Sequence, residues 1–187
     1  MTEIEKKLTG PGKARVALIV EGGLNMKALV HCIDALCDFG VRYEIHAVSG
    51  HATPAKAIEL ASNARKNGFE VIIAAAPGVG LLPGLLAAHT TLPVIAVPIG
   101  EPSLHGLDAL LATARAQRGV PVANVAVDGA LNAALLAITI LAVHDASLAE
   151  ALEGYRQLLQ TNLSHMDQRV RSQYAFKPKK SGEDTTA

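Results

Sequence analysis

Three short stretches hold residue types that could do chemistry. Ser49-Gly50-His51-Ala52-Thr53-Pro54 sets a hydroxyl and an imidazole two residues apart, between an apolar segment and a helix start. Imidazole is the side chain whose ordinary pKa lets it carry a proton near neutral pH, so His51 is the candidate acid or base. Glu21-Gly22-Gly23-Leu24-Asn25 combines two glycines with a carboxylate and an amide. The third stretch runs Ala74-Ala75-Ala76-Pro77-Gly78-Val79-Gly80-Leu81-Leu82-Pro83-Gly84. Its glycines let backbone approach a ligand or another chain with no Cβ between. Pro77 removes a donor, so this loop reads as a close-approach surface more than as a phosphate cradle.

The elements around these stretches follow from hydrophobic pattern. The run Phe69-Glu70-Val71-Ile72-Ile73 leads into the third stretch with apolar residues that do not alternate with polar ones, as in a parallel strand covered on both faces. Further strands are expected over 15–20, 41–48, 94–97 and 120–127, and helices over 26–39, 54–66, 85–88, 104–116, 132–143 and 145–173. Gly40 and Asn67-Gly68 end two of these helices; Thr53 with Pro54 opens one, and Ser147-Leu148-Ala149-Glu150 opens the last as a capping box. Strands alternating with helices over short connections imply a parallel sheet with right-handed crossovers. The expected fold is α/β: a flavodoxin-like three-layer sandwich with a five-stranded parallel sheet and a long C-terminal helix. Residues 1–14 read as a flexible leader, 15–174 as the α/β domain and 175–187 as a disordered tail. In such sheets ligands bind beyond the carboxyl ends of the strands, where all three stretches lie.

Composition narrows the partners. Of 187 residues half are hydrophobic, only 3% are aromatic and none is Trp, so the core is built from Ala, Val, Leu and Ile. Lys plus Arg number 17 and Asp plus Glu number 17, which leaves no net charge to draw the chain to nucleic acid or a membrane surface. So much apolar surface on a small chain points to a homo-oligomer. Leu148, Leu152, Tyr155, Leu159, Leu163, Met166 and Val170 form a narrow seam on the last helix, suited to a neighbouring subunit. Cys32 and Cys37 point apart around one helix and read as reduced core residues. No run spans a bilayer and the first residues carry no signal-peptide core, so the cytoplasm is the expected compartment. His89 reads as a helix-end residue; His105 and His144 are assigned no chemistry, and Lys27 is a candidate phosphate contact.

The order and spacing of these loops resemble the PurE family of purine biosynthesis. Residues 49–54 are similar to that family's S-A-H-R-T-P, and 74–84 to its A-G-A-G-G-A-A-H-L-P-G. The segment 85–98, then Leu104-His105-Gly106-Leu107-Asp108, Gly119-Val120-Pro121-Val122-Ala123 and Asn132-Ala133-Ala134-Leu135-Leu136-Ala137, follow its later half. The resemblance covers about 15–141. It implies a homo-octamer with no metal and no organic cofactor. It also implies either a mutase, an isomerase that moves CO2 from the exocyclic nitrogen of N5-carboxyaminoimidazole ribonucleotide to ring carbon, or a lyase-type carboxylase that takes CO2 or bicarbonate directly. A histidine shuttles the proton.

Carried across residue by residue, the resemblance implies a catalytic His51 and substrate contacts at Gly22, Gly23, Asn25, Ser49, Ala74, Ala75, Ala76, Gly78, Gly80 and Leu81, with a small-molecule substrate, nucleotides among the candidates. Several positions depart from the pattern. The first loop, G-S-x-S-D in the family, is 21–25 here and lacks both hydroxyls. The family's phosphate-binding arginine falls at Ala52 and the histidine of its A-A-H-L-P-G at Leu81, which transfers no proton. The loop before Asn132 is two residues shorter. Three readings stand: the family's carboxylate transfer on an aminoimidazole ribonucleotide, a paralogue acting on a different and less anionic heteroaromatic substrate, or a non-catalytic oligomeric scaffold.

Overall fold

The computed structural model describes residues 14–23, 26–102, 104–115 and 117–175. Apart from Ala14 and Ala175, the expected leader and tail lie outside them. Five parallel strands are present among the described residues: β1 (Val16–Glu21), β2 (Tyr43–Val48), β3 (Val71–Pro77), β4 (Val94–Ile99) and β5 (Ala123–Asn124), in the sheet order β2-β1-β3-β4-β5. Among the described residues six α-helices accompany them: α1 (Val30–Asp38), α2 (Pro54–Asn67), α3 (Leu81–Ala87), α4 (Leu107–Ala114), α5 (Ala130–Ala142) and α6 (Ala146–Gln173). The expected parallel α/β layering is what forms. The chain divides into two compact units, 1–149 and 150–187, and the division falls inside α6.

Helices α1 and α5 cover one face of the sheet, while α2, α3 and α4 cover the other. Ala57, Ala61 and Ala64 repeat at helical spacing on α2 and are at most 1% exposed. With only a methyl at each, α2 lies close on Ala17, Ile19, Ile72 and Ala74. On the opposite face Leu18, Leu29, Leu36, Ile73, Ile95 and Ile138 are fully buried. Each such side chain contributes roughly 1.5–3 kcal/mol by leaving water. Cys32 is free and buried, and burial pushes its thiol up to about 12; Cys37 is free and half-buried, with its sulfur 3.9 Å from the Tyr43 hydroxyl.

Several boundaries differ from the sequence reading. The first helix opens as a 3-10 turn, Met26–Leu29, before α1 begins. Gly40 ends that helix in the left-handed region at φ 65° and returns its N–H to the Cys37 carbonyl. The last strand is two residues long, because it is an edge strand preceded by Pro121, which has no N–H to donate. Helix α6 is not opened by a Ser147 capping box. Asp145 is its cap: Oδ1 accepts from the Leu148 N–H at 3.4 Å and from the Ser147 hydroxyl at 2.7 Å, placing Ser147 inside the first turn.

Asp145 also anchors the amino-terminal end of the sheet. Arg15 donates from Nη1 to Asp145 Oδ2 at 2.7 Å and from Nε to Glu70, and its carbonyl accepts the Glu70 N–H at 2.8 Å. One guanidinium thereby ties the entries of β1, β3 and α6. The Ser147 hydroxyl and the Arg15 guanidinium hold the Asp145 carboxyl below its ordinary range. A carboxyl lowered in the folded state stabilises the fold above its unfolded pKa, and that contribution is lost as pH falls. With both partners about 28% exposed, the ion pair is worth no more than about 1 kcal/mol. Asp145→Asn is therefore expected to lower the melting temperature at pH 7 and to lower it by less at pH 3. Equal losses at both pH values in a thermal scan would contradict this assignment.

Candidate functional site

Strand order reverses between β1 and β3, so the chain leaving β1 turns to one side and the chain leaving β3 to the other. The crevice beyond their carboxyl ends is where an open α/β sheet binds ligands. Register places Val20 beside Ala75 and Glu21 beside Val48, which sets the ends of β1, β2 and β3 in one row. The loops carrying Glu21, Ser49 and Gly78 all start from that row.

The loop after β2 is held by its own side chains. Ser49 Oγ accepts from the His51 N–H at 3.3 Å and the Ala52 N–H at 3.1 Å. Thr53 does not cap α2 with its side chain; its hydroxyl turns back, accepting the Ser49 N–H at 2.8 Å and donating to the Ser49 carbonyl at 3.2 Å. Pro54 fills the first helical position, where no N–H is needed. The remaining N–H, that of Gly50, goes to Glu21, whose two carboxylate oxygens lie at 3.1 and 3.3 Å. Gly22, at the end of β1, donates to the Val48 carbonyl at 2.7 Å. His51 is exposed on this braced turn, and among the described residues no side chain holds its ring.

The third stretch is shorter as a loop than the sequence reading has it. Strand β3 continues through Pro77 and α3 starts at Leu81, leaving only Gly78, Val79 and Gly80 between them. Pro83 is accommodated because it sits in the first turn of α3. Ala74, Ala75 and Ala76 are strand residues, at most 2% exposed, so they form the floor from inside the sheet. Gly78 and Gly80 have φ of 60° and 55°. At Gly80 a Cβ would lie 2.8 Å from Thr113 Cγ2 and 3.3 Å from the Ala109 carbonyl oxygen, so α4 packs directly on this backbone.

Leu81 is 43% exposed at the start of α3, and it reaches the loop after β2: a Cβ on Gly50 would stand 3.4 Å from Leu81 Cδ2. The structure therefore brings Glu21, Ser49, Gly50, His51 and Leu81 together. Gly22 and Gly23 are exposed beside them, while Asn25 lies outside the described residues. Two carboxylates that sequence reasoning missed complete the rim. Glu101 has an oxygen 3.8 Å from where a Gly78 Cβ would lie, and Asp128 accepts the Gly100 N–H at 2.9 Å. Their signal in the sequence is an acidic residue or glycine directly after a strand, too common to single out. His89 accordingly plays the helix-end part expected of it, with Nδ1 2.9 Å from the Leu85 carbonyl. Among the described residues no His, Cys, Asp and Glu cluster suited to a metal is present, and no helix is long and apolar enough to cross a membrane.

Comparison with known proteins gives a consistent picture. The family model described as AIR carboxylase matches residues 15–162. The N5-carboxyaminoimidazole ribonucleotide mutase of Pyrococcus abyssi is 43% identical over 146 residues, covering 78% of this chain and 84% of that protein. The mutase of the same name from Bacillus subtilis is 42% identical over 158 residues, covering 83% and 98%. Among solved structures, Treponema denticola PurE2-S38D superposes with a TM-score of 0.76 over 84% of this chain and 99% of that one, at 22% identity. Treponema denticola PurE gives 0.75 with the same coverage and identity. At that identity the two structures speak for the fold.

The two close-approach glycines are expected to respond differently to an added methyl. Gly80→Ala forces an L-residue into the left-handed region against Thr113 and should cost about 1–3 kcal/mol in denaturant unfolding. Gly50→Ala meets Leu81 at ordinary contact distance and should cost about 1 kcal/mol or less. Equal costs would mean that the Gly80 backbone is not held against α4.

Proposed function

The chain belongs to the AIR carboxylase family, and from that premise we propose that it is a carboxylate-transfer enzyme of purine biosynthesis, acting in the cytoplasm on an aminoimidazole ribonucleotide. Relatives about 40% identical over most of their length carry the name of the mutase, which makes rearrangement the preferred reaction over direct carboxylation. The single observation that carries the proposal on this chain is His51. It stands exposed at the carboxyl end of β2, on a turn whose backbone is braced by Ser49 Oγ and Glu21.

In the rearrangement the bond between the exocyclic nitrogen and its carboxylate carbon breaks, and a bond from that carbon to the ring carbon forms. CO2 is the species passed between them. The nitrogen gains a proton and the ring carbon loses one, so the reaction is neutral in protons and needs one group to move a proton from carbon to nitrogen. His51 is that group in this proposal, because the position at Leu81 offers only a hydrocarbon. A flat ring and a molecule the size of CO2 are proposed to lie at the Gly78 turn, where the end of β3 presents backbone without a Cβ. Gly22, Gly23, Asn25 and Ser49 are the further contacts proposed for the substrate. The rearrangement as written takes up no further CO2 and uses only the protein's own groups, without a cofactor; direct carboxylation, the alternative, would take CO2 or bicarbonate.

The assembly proposed is a homo-oligomer, an octamer as the family resemblance implies. Its support is the stripe Leu159, Leu163, Met166 and Val170 on α6, each 44–65% exposed at helical spacing. Ring carboxylation followed by ultraviolet absorbance, with aminoimidazole ribonucleotide and bicarbonate or with the N-carboxylated form, tests the function. His51→Asn is expected to reduce turnover by about 10²- to 10⁴-fold with an unchanged melting temperature. Full turnover in that variant would remove His51 from the chemistry.

A further inference from the structure

The hydrogen bonds of the turn after β2 are of two kinds. Those that Ser49 Oγ accepts from the His51 and Ala52 N–H groups, and those between Thr53 and the Ser49 backbone, lie within 49–53 and fix the shape of the turn. They do not fix where that shape stands over the sheet. The bond from the Gly50 N–H to the Glu21 carboxylate, at 3.1 and 3.3 Å, spans 29 residues and ties the turn to the end of β1. Gly50 is buried, whereas the next residue, His51, is exposed. A buried N–H needs an acceptor, and leaving it unpaired costs enough to drive the backbone that carries it toward water. On its other side a Cβ on Gly50 would stand 3.4 Å from Leu81 Cδ2 and from the Leu82 nitrogen, so the residue is gripped between the end of β1 and the start of α3. Among the described residues no side chain holds the His51 ring, so the backbone beside it does the aiming.

Resting on the carboxylate-transfer reading above, we infer that Glu21 is a positioning residue for that reaction: by accepting the Gly50 N–H it sets where the His51 imidazole stands over the crevice. Proton transfer needs its two heavy atoms within hydrogen-bond reach, and a misplacement of about 1 Å costs roughly 10²-fold in rate. A half-buried carboxylate suits the task, because both of its oxygens accept and a bond to a charged acceptor is stronger than one between neutral groups. Its own place is fixed by register: Glu21 ends β1 beside Val48, and the Gly22 N–H donates to the Val48 carbonyl at 2.7 Å. The G-S-x-S-D pattern has glycine at position 21, so this brace comes from a side chain that the pattern does not contain. Glu21 acts through Gly50 on His51, and its effect falls on the proton-transfer step rather than on substrate binding.

The test uses the full chain, the N-carboxylated aminoimidazole ribonucleotide as substrate, and the variants Glu21→Ala, Glu21→Gln, His51→Asn and the double variant Glu21→Ala/His51→Asn. Glu21→Ala leaves the Gly50 N–H without its acceptor and is expected to lower kcat about 10- to 100-fold with KM within about threefold of wild type. Glu21→Gln keeps an oxygen for that N–H and should restore kcat to within about fivefold. Because Glu21 acts through His51, the double variant should be no more than about twofold slower than His51→Asn alone. Hydrogen–deuterium exchange read by mass spectrometry follows the brace without turnover. The peptide over 49–53 should exchange faster in Glu21→Ala and at the wild-type rate in Glu21→Gln, while the peptides of β1 and β3 stay protected in both. Losses that multiply in the double variant, a loss confined to KM, or unchanged exchange at 49–53 in Glu21→Ala would each overturn the inference while carboxylate transfer stands. No turnover by the wild type would overturn the carboxylate-transfer reading, and this inference with it.

Discussion

The parallel pairing of β1 with β3 is the constraint on which the rest of the structure depends. It joins strands that are not consecutive in the chain, so β2 must lie outside β1 and β4 outside β3. The connections consequently diverge to opposite faces, and the gap they leave at the carboxyl ends is the crevice. Register alone then decides what stands around it. With Val20 beside Ala75 and Glu21 beside Val48, a carboxylate, a hydroxyl-braced turn and a glycine turn emerge within one row.

Side-chain size sets how closely the layers approach that row. Alanines on α2, β3 and α5 replace the bulk that larger residues would put between helix and sheet. Thr113 of α4 then reaches the Gly80 backbone, and Leu81 reaches Gly50. At the opposite end of the sheet Arg15 joins β1, β3 and α6 through Glu70 and Asp145. The strands are thus held at one end by charge on the surface and at the other by backbone packed without Cβ atoms. The first arrangement tolerates change at a cost of about 1 kcal/mol, and so does Gly50 beside Leu81, whereas the Gly80 backbone against Thr113 has no slack.

The turn after β2 satisfies its backbone internally. Ser49 and Glu21 take up N–H groups that a strand-to-helix turn often presents to an anion. What remains for a ligand is one imidazole, lone pairs on carboxylates, glycine backbone and the hydrocarbon of Leu81. This is a setting for proton transfer.

Much of this was legible in the sequence because it depends on local pattern. Short unalternating runs opened by β-branched residues, such as 71–76, suit strands buried on both faces, and Gly40, Gly68 and Pro54 mark helix ends through their own backbone preferences. The loop order and the position of His51 follow from the same local reading, and so does the family. Where the local signal is divided, the sequence misleads: Val120 to Val127 looks like a full strand, yet the sheet edge pairs only Ala123 and Asn124. Ser147 looks like a cap, yet Asp145 takes that place because Arg15, 130 residues away, fixes its carboxylate. The sequence by itself determined the strand and helix types and which side chains could react. Only the tertiary structure decided that Glu21 bonds Gly50, that Leu81 leans on the same residue and that Glu101 faces Gly78, because each is a contact between segments that no local preference encodes.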